Sequence, residues 1–396
     1  MTRPRVIYWD NIPAPYAVER FNALARRGTL DFHAWFSRRT DPDRSWAVDE
    51  SRWPFSGAFV ENPAESPKAF RQFVRRCATP RPDLVVSFYG ERAFVIGHVV
   101  LKGLGIRTAL RVLPTSDRWA WVRKSRAREA VKAALFHSAD AAKVPGPDGL
   151  EYAVRHGLPA ERVAFVTQSI DVERYRRPLP ADQRVRERAR FGVSRECLFL
   201  YAGRFWSGKG LPVLLDAYRQ AKAACGHIRL LLVGDGEDDA RLRETARALD
   251  GVAFHPFVQA DELARYYAAA DVFVFPTLGD RHGLVIEEAQ AAGLPVIATD
   301  AIGDVRRRVV DGAMGFIVPA GDATSLATRM ADLARNEHMR KAMGAAGAER
   351  AARCGHDVWA ADFERFVHMA LTVAPRTTAA ARMTTAAGAA MLSCAV

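Results

Sequence analysis

The segment Pro276–Pro295 reads PTLGDRHGLVIEEAQAAGLP and directly follows the apolar run Val272–Phe275 (VFVF). This pattern predicts a buried strand, a loop that contains two glycines, and a helix that begins near Leu284. A glycine-rich turn between a strand and a helix lets backbone N–H groups approach a phosphate, and the helix dipole adds favourable partial charge. The segment therefore indicates an α/β fold with a phosphate site at the carboxyl end of a strand.

Strand-like and helix-like segments alternate in both directions from this stretch. Short apolar runs are predicted as strands at Arg5–Trp9, Leu30–Trp35, Asp83–Phe88, Arg107–Val112, Arg162–Val166, Glu196–Gly203, Ile228–Val233, Val252–Phe254, Val272–Phe275 and Pro295–Thr299. Amphipathic stretches are predicted as helices at Ala17–Ala25, Pro67–Cys77, Arg92–Lys102, Ala127–Phe136, Leu211–Ala223, Asp238–Ala248, Ala260–Ala269 and Ile286–Ala292. This order is typical of βαβ units with parallel sheets, and its restart at Glu196 predicts two consecutive α/β domains.

The first domain is expected to span residues 1–177 and the second residues 178–357. Between them, Asp171–Arg190 (DVERYRRPLPADQRVRERAR) is charged and contains prolines, which is typical of an interdomain linker. Val358–Leu371 is predicted to form one helix that packs back on the first domain. Residues 374–396 hold nine alanines and no acidic residue, so we expect a disordered tail.

Composition narrows the classes of protein that the chain can belong to. Its 396 residues are 49% hydrophobic and 26% charged, which is typical of a chain that folds around hydrophobic cores. A net charge of +12 favours anionic partners, but no nucleic-acid-binding motif accompanies it, so we expect no nucleic acid partner. Five dispersed cysteines without a CxxC pair, no Sec-type signal and no apolar run of membrane-spanning length indicate a cytoplasmic protein.

Two carboxylates, Asp280 and Glu288, flank the glycine-containing turn with seven residues between them. We expect one on the loop and the other about one turn into the helix, so that both can grip adjacent hydroxyls of a ribose or a hexose. In the alternative interpretation, Asp280 is a loop acid or cap and Glu288 a solvated helix residue. Glu287 beside it is interpreted as solvated.

A second candidate site lies in Tyr201–Gly210 (YAGRFWSGKG), where Arg204 and Lys209 follow a predicted strand. A planar guanidinium and a compact ammonium in one loop can clamp a diphosphate, although both residues are equally compatible with surface charges. Ile228–Asp239 (IRLLLVGDGEDD) holds two glycines without a third, which does not predict a nicotinamide site. Its acidic residues are interpreted as favourable charge at a helix N-terminus.

Together these segments resemble the retaining glycosyltransferases of family 4, the glycosyl transferases group 1. DRHGLVIEEAQAAGLPVI (280–297) resembles the family's E-x7-E signature with Asp in place of the first Glu, and AGRFWSGKG (202–210) is similar to its AGRLxxxKG motif. Further similar motifs occur in the expected order at 163–175, 230–242 and 252–277. The resemblance implies the GT-B fold, two facing Rossmann-like domains with parallel sheets and a cleft between them.

The resemblance also implies roles for individual residues. Arg204 and Lys209 would bind the donor diphosphate and stabilise the charge that develops on the leaving nucleotide. Glu288 would hold the ribose hydroxyls and Asp280 the hydroxyls of the transferred sugar. The other donor positions that it implies are the amides of Gly283, Leu284 and Val285 and the base-binding residues Phe257 and Val258.

His282 replaces the usual Phe of the signature. As a donor-site residue it can titrate near neutrality or bond a sugar hydroxyl; alternatively it only packs the loop. The resemblance implies a nucleotide-diphosphate sugar, UDP- or GDP-linked, as co-substrate, retention of the anomeric configuration, and no metal or other cofactor.

The acceptor half of the sequence is less informative. By the resemblance, Asn11, Tyr16 and Glu19 belong to a region where family members line the cleft, and they can meet the acceptor or the donor or be purely structural. Many family members carry a histidine after the fourth or fifth strand, and here Arg111, Thr115 or Asp117 is expected to occupy its place on the acceptor side. The stretch 118–132 (RWAWVRKSRAREAVK) has six cations and two tryptophans, which fits peripheral contact with an anionic membrane or a solvated helix face.

Three functional interpretations follow. The first is a hexosyltransferase that serves cell-surface polysaccharide or glycolipid assembly, with a saccharide or lipid-linked acceptor, in the cytoplasm or at the inner face of the plasma membrane. The second is glycosylation of a small-molecule natural product. The third is a nucleotide-sugar epimerase or phosphorylase of the same fold.

Overall fold

A computed structural model describes residues 2–40, 46, 49–113 and 125–376 of the chain. These residues form two α/β units. The N-terminal unit contains the described residues up to Ser169 together with His356 onward, and the C-terminal unit contains Ile170–Gly355. The chain therefore passes from one unit to the other between Ser169 and Ile170, upstream of the boundary expected near Pro178.

The N-terminal unit is built on a seven-stranded parallel sheet with the order β3-β2-β1-β4-β5-β6-β7. Its strands are β1 (Arg5–Asp10), β2 (Asp31–Phe36), β3 (Ser56–Phe59), β4 (Leu84–Ser87), β5 (Arg107–Arg111), β6 (Ala141–Val144) and β7 (Val163–Phe165). Its first five helices are α1 (Pro15–Arg27), α2 (Pro67–Ala78), α3 (Arg92–Gly103), α4 (Arg126–Ser138) and α5 (Pro147–Arg155). The central strands are buried on both faces, which explains their continuous apolar sequences.

The C-terminal unit opens with two helices, α6 (Val172–Arg176) and α7 (Ala181–Arg190), in the segment that the sequence indicated as a linker. Arg188 of α7 is buried and donates to the Asp271 carboxylate (2.8 Å) and to the Ala269 carbonyl (2.9 Å). The linker interpretation is therefore wrong, because the segment forms two helices and Arg188 is fixed inside the C-terminal unit.

A six-stranded parallel sheet with the order β10-β9-β8-β11-β12-β13 forms the centre of this unit. Its strands are β8 (Cys197–Ala202), β9 (Ile228–Val233), β10 (Val252–His255), β11 (Val272–Phe275), β12 (Val296–Thr299) and β13 (Gly315–Val318). Its remaining helices are α8 (Leu211–Cys225), α9 (Asp239–Ala246), α10 (Ala260–Ala269), α11 (Val285–Ala291), α12 (Val305–Arg308), α13 (Ala323–Arg335) and α14 (Glu337–Ala351). The strand order reverses between the neighbours β8 and β11, and ligands of open α/β sheets bind at the carboxyl ends of such strands.

The last described helix, α15 (His356–Thr372), belongs to the N-terminal unit. Its Trp359 ring lies 6.1 Å from Phe21 of α1, and its Phe363 ring lies 5.7 Å from Tyr8 of β1. These aromatic contacts fix the helix to the core of that unit. The tail of the chain was predicted to be disordered. From residue 377 onward, this tail lies outside the described part of the chain.

Within the described ranges, no helix combines the length and the apolarity that crossing a membrane requires.

Candidate functional site

The loops that follow β8 and β11 are joined by backbone contacts. The Leu278 N–H donates to the Gly208 carbonyl (2.9 Å), and the buried Thr277 hydroxyl donates to the same carbonyl (3.0 Å). Gly210 has φ +67°, and a Cβ there would lie 2.1 Å from the Pro276 oxygen. A glycine is therefore required at this position, and it lets the two loops meet at the reversal of the strand order.

The loop after β9 supports the loop after β8. The Phe205 N–H donates to the Asp235 carbonyl (2.6 Å), and a Cβ at Gly234 would lie 1.9 Å from the Gly203 oxygen. The two glycines of VGDG thus allow close loop packing beside Arg204. This role accounts for a pattern that superficially resembles a dinucleotide loop.

Lys209 and Asp280 meet across the two joined loops. The Lys209 ammonium donates to Asp280 Oδ2 at 2.5 Å, and their side chains are 16% and 18% exposed. The other oxygen of Asp280 accepts the His282 N–H at 2.9 Å. Burial alone would raise the pKa of Asp280, but the Lys209 charge and these hydrogen bonds outweigh it and hold the pKa below its ordinary value. The structure thus brings together two of the predicted site residues as a charged pair.

Arg204 lies on the same loop as Lys209 and pairs with Glu237 at 2.7 Å. Glu237 is the more exposed partner. The next two acids, Asp238 and Asp239, form ion pairs with arginines of α9, which fits the prediction of acidic residues around a helix N-terminus. Arg204 is therefore held near the loop surface by a solvated carboxylate that an anion can readily displace.

Glu288 is the fourth residue of α11 and accepts a hydrogen bond from Tyr267 of α10 at 2.9 Å. Burial raises the pKa of this carboxyl to about 7, despite hydrogen bonds from Tyr267 and Tyr175 that favour the charged form. Glu288 is therefore a carboxyl group that changes charge near neutral pH.

We expect the stability difference between wild type and Glu288→Gln to depend on pH. The folded-state pKa of Glu288 lies above the unfolded value of about 4.5, so stability is lost as pH rises from that value through 7, by up to about 3 kcal/mol. The Gln variant cannot ionise at this position, so its free energy of unfolding should rise relative to that of wild type between pH 5 and pH 8. Urea unfolding at both pH values measures the difference, and an identical difference at the two pH values would contradict the assignment.

Glu287 was expected to be solvated, and this is wrong. Its side chain is 2% exposed and accepts from Arg308 Nε at 2.7 Å and from Arg350 Nη2 at 3.3 Å. Although burial opposes it, the charge of Arg308 holds the pKa of Glu287 at about 2. The two adjacent glutamates of α11 thus have opposite environments.

Arg308, which the sequence analysis did not identify, binds the backbone of the turn that follows Asp280. Its guanidinium donates to the His282 carbonyl and, at 2.7 Å, to the Gly283 carbonyl, besides binding Glu287. Gly283 has φ +66°, and a Cβ there would lie 2.5 Å from the Phe275 ring. Arg308 ends the run RRR, in which Arg306 is exposed, so the sequence offers no signal that separates this buried arginine from a surface charge.

His282 is buried, and neither ring nitrogen has a hydrogen-bond partner among the described residues. Burial and the neighbouring Arg308 lower the pKa of this imidazole to about 3. This environment favours the neutral imidazole, and of the alternatives for His282 it supports a ring that packs the loop over one that titrates near neutrality.

The remaining donor candidates surround the same strand ends. Phe257 and Val258 lie in the loop between β10 and α10, where Val258 is buried and Phe257 half-buried. Leu284 and Val285 are partly buried at the start of α11. No cluster of three or more metal-ligating side chains occurs in the described ranges.

The acceptor candidates belong to the N-terminal unit. Arg111 ends β5 and pairs with Asp10 at 2.8 Å, whereas the half-buried Asn11 donates to Glu91. The Tyr16 ring on α1 meets Trp46 edge-on, with centroids 5.9 Å apart. Of the neighbouring candidates, Glu19 pairs with His356 at 3.3 Å. The predicted Asp117, Thr115 and the first part of the basic stretch 118–132 lie outside the described residues.

Comparison with known proteins gives one family match. Residues 196–336 match the model of the glycosyl transferases group 1. A D-inositol 3-phosphate glycosyltransferase of Streptomyces bingchenggensis is 36% identical over 222 residues, which are 52% of this chain and 48% of that protein. A phosphatidyl-myo-inositol mannosyltransferase of Mycobacterium leprae is 36% identical over 169 residues, covering 42% and 45%. The chain thus spans about half the length of the curated relatives that it matches.

Solved structures match nearly the whole chain. Sucrose-phosphate synthase from Thermosynechococcus elongatus superposes with a TM-score of 0.72 and 22% identity, covering 92% of this chain and 98% of that one. Anabaena Alr3699/HepE, solved in complex with UDP and glucose, superposes with a TM-score of 0.76 and 16% identity over 92% and 100%. With the two parallel sheets, these likenesses confirm the predicted GT-B fold.

Proposed function

We propose that the chain is a glycosyltransferase, because residues 196–336 match the model of the glycosyl transferases group 1, in agreement with the predicted resemblance. It moves a hexose-type sugar from a nucleotide-diphosphate sugar, UDP- or GDP-linked, to an acceptor hydroxyl. The observation that carries this proposal is the Lys209–Asp280 pair at the adjoining ends of β8 and β11. A solved neighbour that binds UDP and glucose supports it.

The donor diphosphate is proposed to bind at the loop of Arg204 and Lys209. Both cations have carboxylate partners that a diphosphate replaces, Glu237 for the first and Asp280 for the second. As the glycosidic C–O bond breaks, negative charge grows on the leaving phosphate, and fixed cations at 16–25% side-chain exposure stabilise it more than water does. The N–H groups of Gly283, Leu284 and Val285 are proposed to complete this phosphate site.

The two carboxylates of the turn are proposed to bind hydroxyls. Asp280, released from Lys209, accepts from the transferred sugar, and Glu288 accepts from the ribose in its charged form. The base is proposed to lie against Phe257 and Val258. Buried and neutral, His282 is proposed to shape the sugar pocket rather than to transfer protons.

We propose retention of the anomeric configuration without a metal ion. In this mechanism the acceptor oxygen attacks on the face that the diphosphate leaves, and the leaving phosphate oxygen takes the acceptor proton. The charge stabilisation comes from Arg204 and Lys209. The proposed setting is the cytoplasm or the inner membrane face, and the proposed acceptor is a saccharide or a lipid-linked compound. The name of one curated relative, a phosphatidyl-myo-inositol mannosyltransferase, supports a lipid-linked acceptor.

Asp280→Glu is expected to retain transfer within about tenfold of wild type, because the longer carboxylate can still reach Lys209 and the sugar. Asp280→Asn should lose more, since a neutral amide accepts a hydrogen bond from a sugar hydroxyl less strongly than a carboxylate does. Initial rates at saturating donor measure both. Full inactivity of Asp280→Glu together with an active Asp280→Asn would contradict a hydroxyl-binding carboxylate at this position.

The proposed reaction is tested by incubating the full chain with UDP- and GDP-hexoses and a panel of saccharide, lipid-linked and small-molecule acceptors. Nuclear magnetic resonance of the product reports the anomeric configuration, and parallel reactions with a chelator report metal dependence. A retained configuration and unchanged rate in chelator are expected. An inverted product would overturn the stereochemical proposal, and epimerised donor without acceptor product would replace transfer by epimerisation.

A further inference from the structure

Three cations lie together in the N-terminal unit, two of them buried and Arg111 partly buried, and we name them the basic cluster: Arg20, Arg111 and Lys143. Arg20 is 0% and Lys143 3% exposed. Arg111 and Lys143 are register partners on the neighbouring strands β5 and β6, so their side chains leave the same face of the sheet. Arg20 reaches this face from α1. The cluster therefore lies at the carboxyl ends of parallel strands, where α/β units bind ligands.

The basic cluster has too few acceptors for its charge. Arg111 pairs with Asp10 at 2.8 Å. Arg20 donates one hydrogen bond, to the neutral Gln168 amide at 2.6 Å, while its Nε and Nη2 are buried without a partner. Lys143 has no hydrogen-bond acceptor among the described residues. Within the part of the chain that the structure describes, the three cations thus share one carboxylate, that of Asp10.

Aromatic rings hold the unpaired cations in place. The Arg20 guanidinium carbon lies 5.2 Å from the centroid of the Trp359 ring, and the Lys143 ammonium lies 5.7 Å from the same centroid. A second ring, that of Tyr8, lies 5.6 Å from the ammonium. Cation–π contacts of this kind return only part of the hydration that a buried charge loses. Burial and the like charges of Arg20 and Arg111 accordingly lower the pKa of Lys143 well below its ordinary value.

Another buried lysine of the same unit shows what a structural pairing looks like. Lys102 donates to both oxygens of Asp140 at 3.0 Å, and the two side chains are 8% and 0% exposed. Lys143 has no such carboxylate. An unpaired buried charge destabilises a fold, and such costs are retained at functional sites.

We propose that the basic cluster binds a phosphate ester group and that, on the proposed function, this group belongs to the acceptor. Two guanidinium groups and an ammonium supply the planar and the point-charge donors that recognise a phosphate. Arg111 and Asp10 keep 12% and 9% of their side chains exposed, so the cluster reaches the surface through this pair. The bound anion supplies the negative charge that the cluster lacks.

The first test measures thermal unfolding of the full chain with inorganic phosphate against sodium chloride of equal ionic strength. It is done in a Lys209→Met background, so that the proposed donor site does not contribute. Phosphate should raise Tm saturably in this background and not when Lys143→Met or Arg20→Met is added. A phosphate shift that persists in both variants would overturn the site.

Without phosphate, Lys143→Met and a matched control variant are expected to shift Tm in opposite directions. Lys143→Met should raise Tm by roughly 2 °C or more, because it removes an unpaired buried charge. The matched control Lys102→Met should lower Tm, because it leaves Asp140 buried and unpaired. A fall in Tm for Lys143→Met comparable to that of Lys102→Met would show a structural cation and contradict the proposal.

The second test identifies the source of the phosphate. Acceptor alcohols are compared with their phosphate monoesters in the transfer reaction, and wild type should prefer the ester by about ten- to a hundredfold in kcat/KM. Lys143→Met should abolish that preference, because its kcat/KM for the ester should fall toward that for the alcohol. A phosphate-dependent Tm shift without any preference would assign the site to free phosphate and overturn the acceptor assignment. A Tm shift with no transfer to any acceptor would contradict the proposed function and leave the anion site standing.

Discussion

Lys209→Met is expected to reduce sugar transfer by at least about a hundredfold, mainly in kcat. The ammonium lies 2.5 Å from Asp280 at the junction of the loops after β8 and β11, where charge develops on the leaving phosphate in the proposed reaction. Methionine keeps a flexible unbranched side chain that is one atom shorter, and it removes the charge and the N–H donors. Initial rates across donor concentrations separate the loss of kcat from the change in KM.

Lys341→Met is the matched control, because Lys341 forms a surface pair with Glu337 and its side chain is 75% exposed. It should change neither rate nor stability measurably. Arg204→Met should also reduce the transfer rate, but by less than Lys209→Met, because the Arg204 side chain is more exposed than that of Lys209. Near-normal turnover of Lys209→Met in a folded protein would contradict the diphosphate role.

Arg308→Met is expected to destabilise the chain by about 3–5 kcal/mol. It leaves Glu287 buried with only the longer contact to Arg350, and it frees the carbonyls of His282 and Gly283. The turn that follows Asp280 should then lose its fixed geometry. Urea unfolding measures the loss of stability, and the KM for the donor reports whether the turn still has the geometry that donor binding requires.

Two further variants isolate the cause of that loss. Arg306→Met changes an exposed residue of the same helix and should be nearly neutral. The double variant Arg308→Met, Glu287→Met removes both charges and should recover part of the stability, since neither charge remains buried alone. If the double variant is as unstable as the sum of the single ones, the ion pair does not carry the effect.

Hydrophobic periodicity predicted most of the fold. The predicted strands Ile228–Val233 and Val272–Phe275 and the predicted helix Ala260–Ala269 agree with the structure at both ends. Strands β3 (SGAF), β6 (AAKV) and β13 (GFIV) were missed. In the first two, small and charged residues have low strand propensity, and only their place in the sheet makes them strands.

The charged side chains were harder to predict because their partners are distant in sequence. Glu287 and Glu288 are adjacent, but one meets Arg308 and Arg350 while the other meets Tyr267. Local pattern cannot assign opposite environments to neighbours on one helix. The same limit applies to Arg188, whose carboxylate partner lies 83 residues away in the sequence. The resemblance to family 4, by contrast, implied one donor site for Lys209 and Asp280 before their contact was visible.

The measurement that tests the account most directly is calorimetric titration of the full chain with UDP, GDP, ADP and TDP, without added metal, on wild type and Lys209→Met. At least one nucleotide is expected to bind wild type and to bind Lys209→Met at least about tenfold more weakly, because one charged contact is lost. Binding of that nucleotide to Lys341→Met should be unchanged. Equal affinity of the best nucleotide for wild type and Lys209→Met, or binding of none, would contradict a donor site at the ends of β8 and β11.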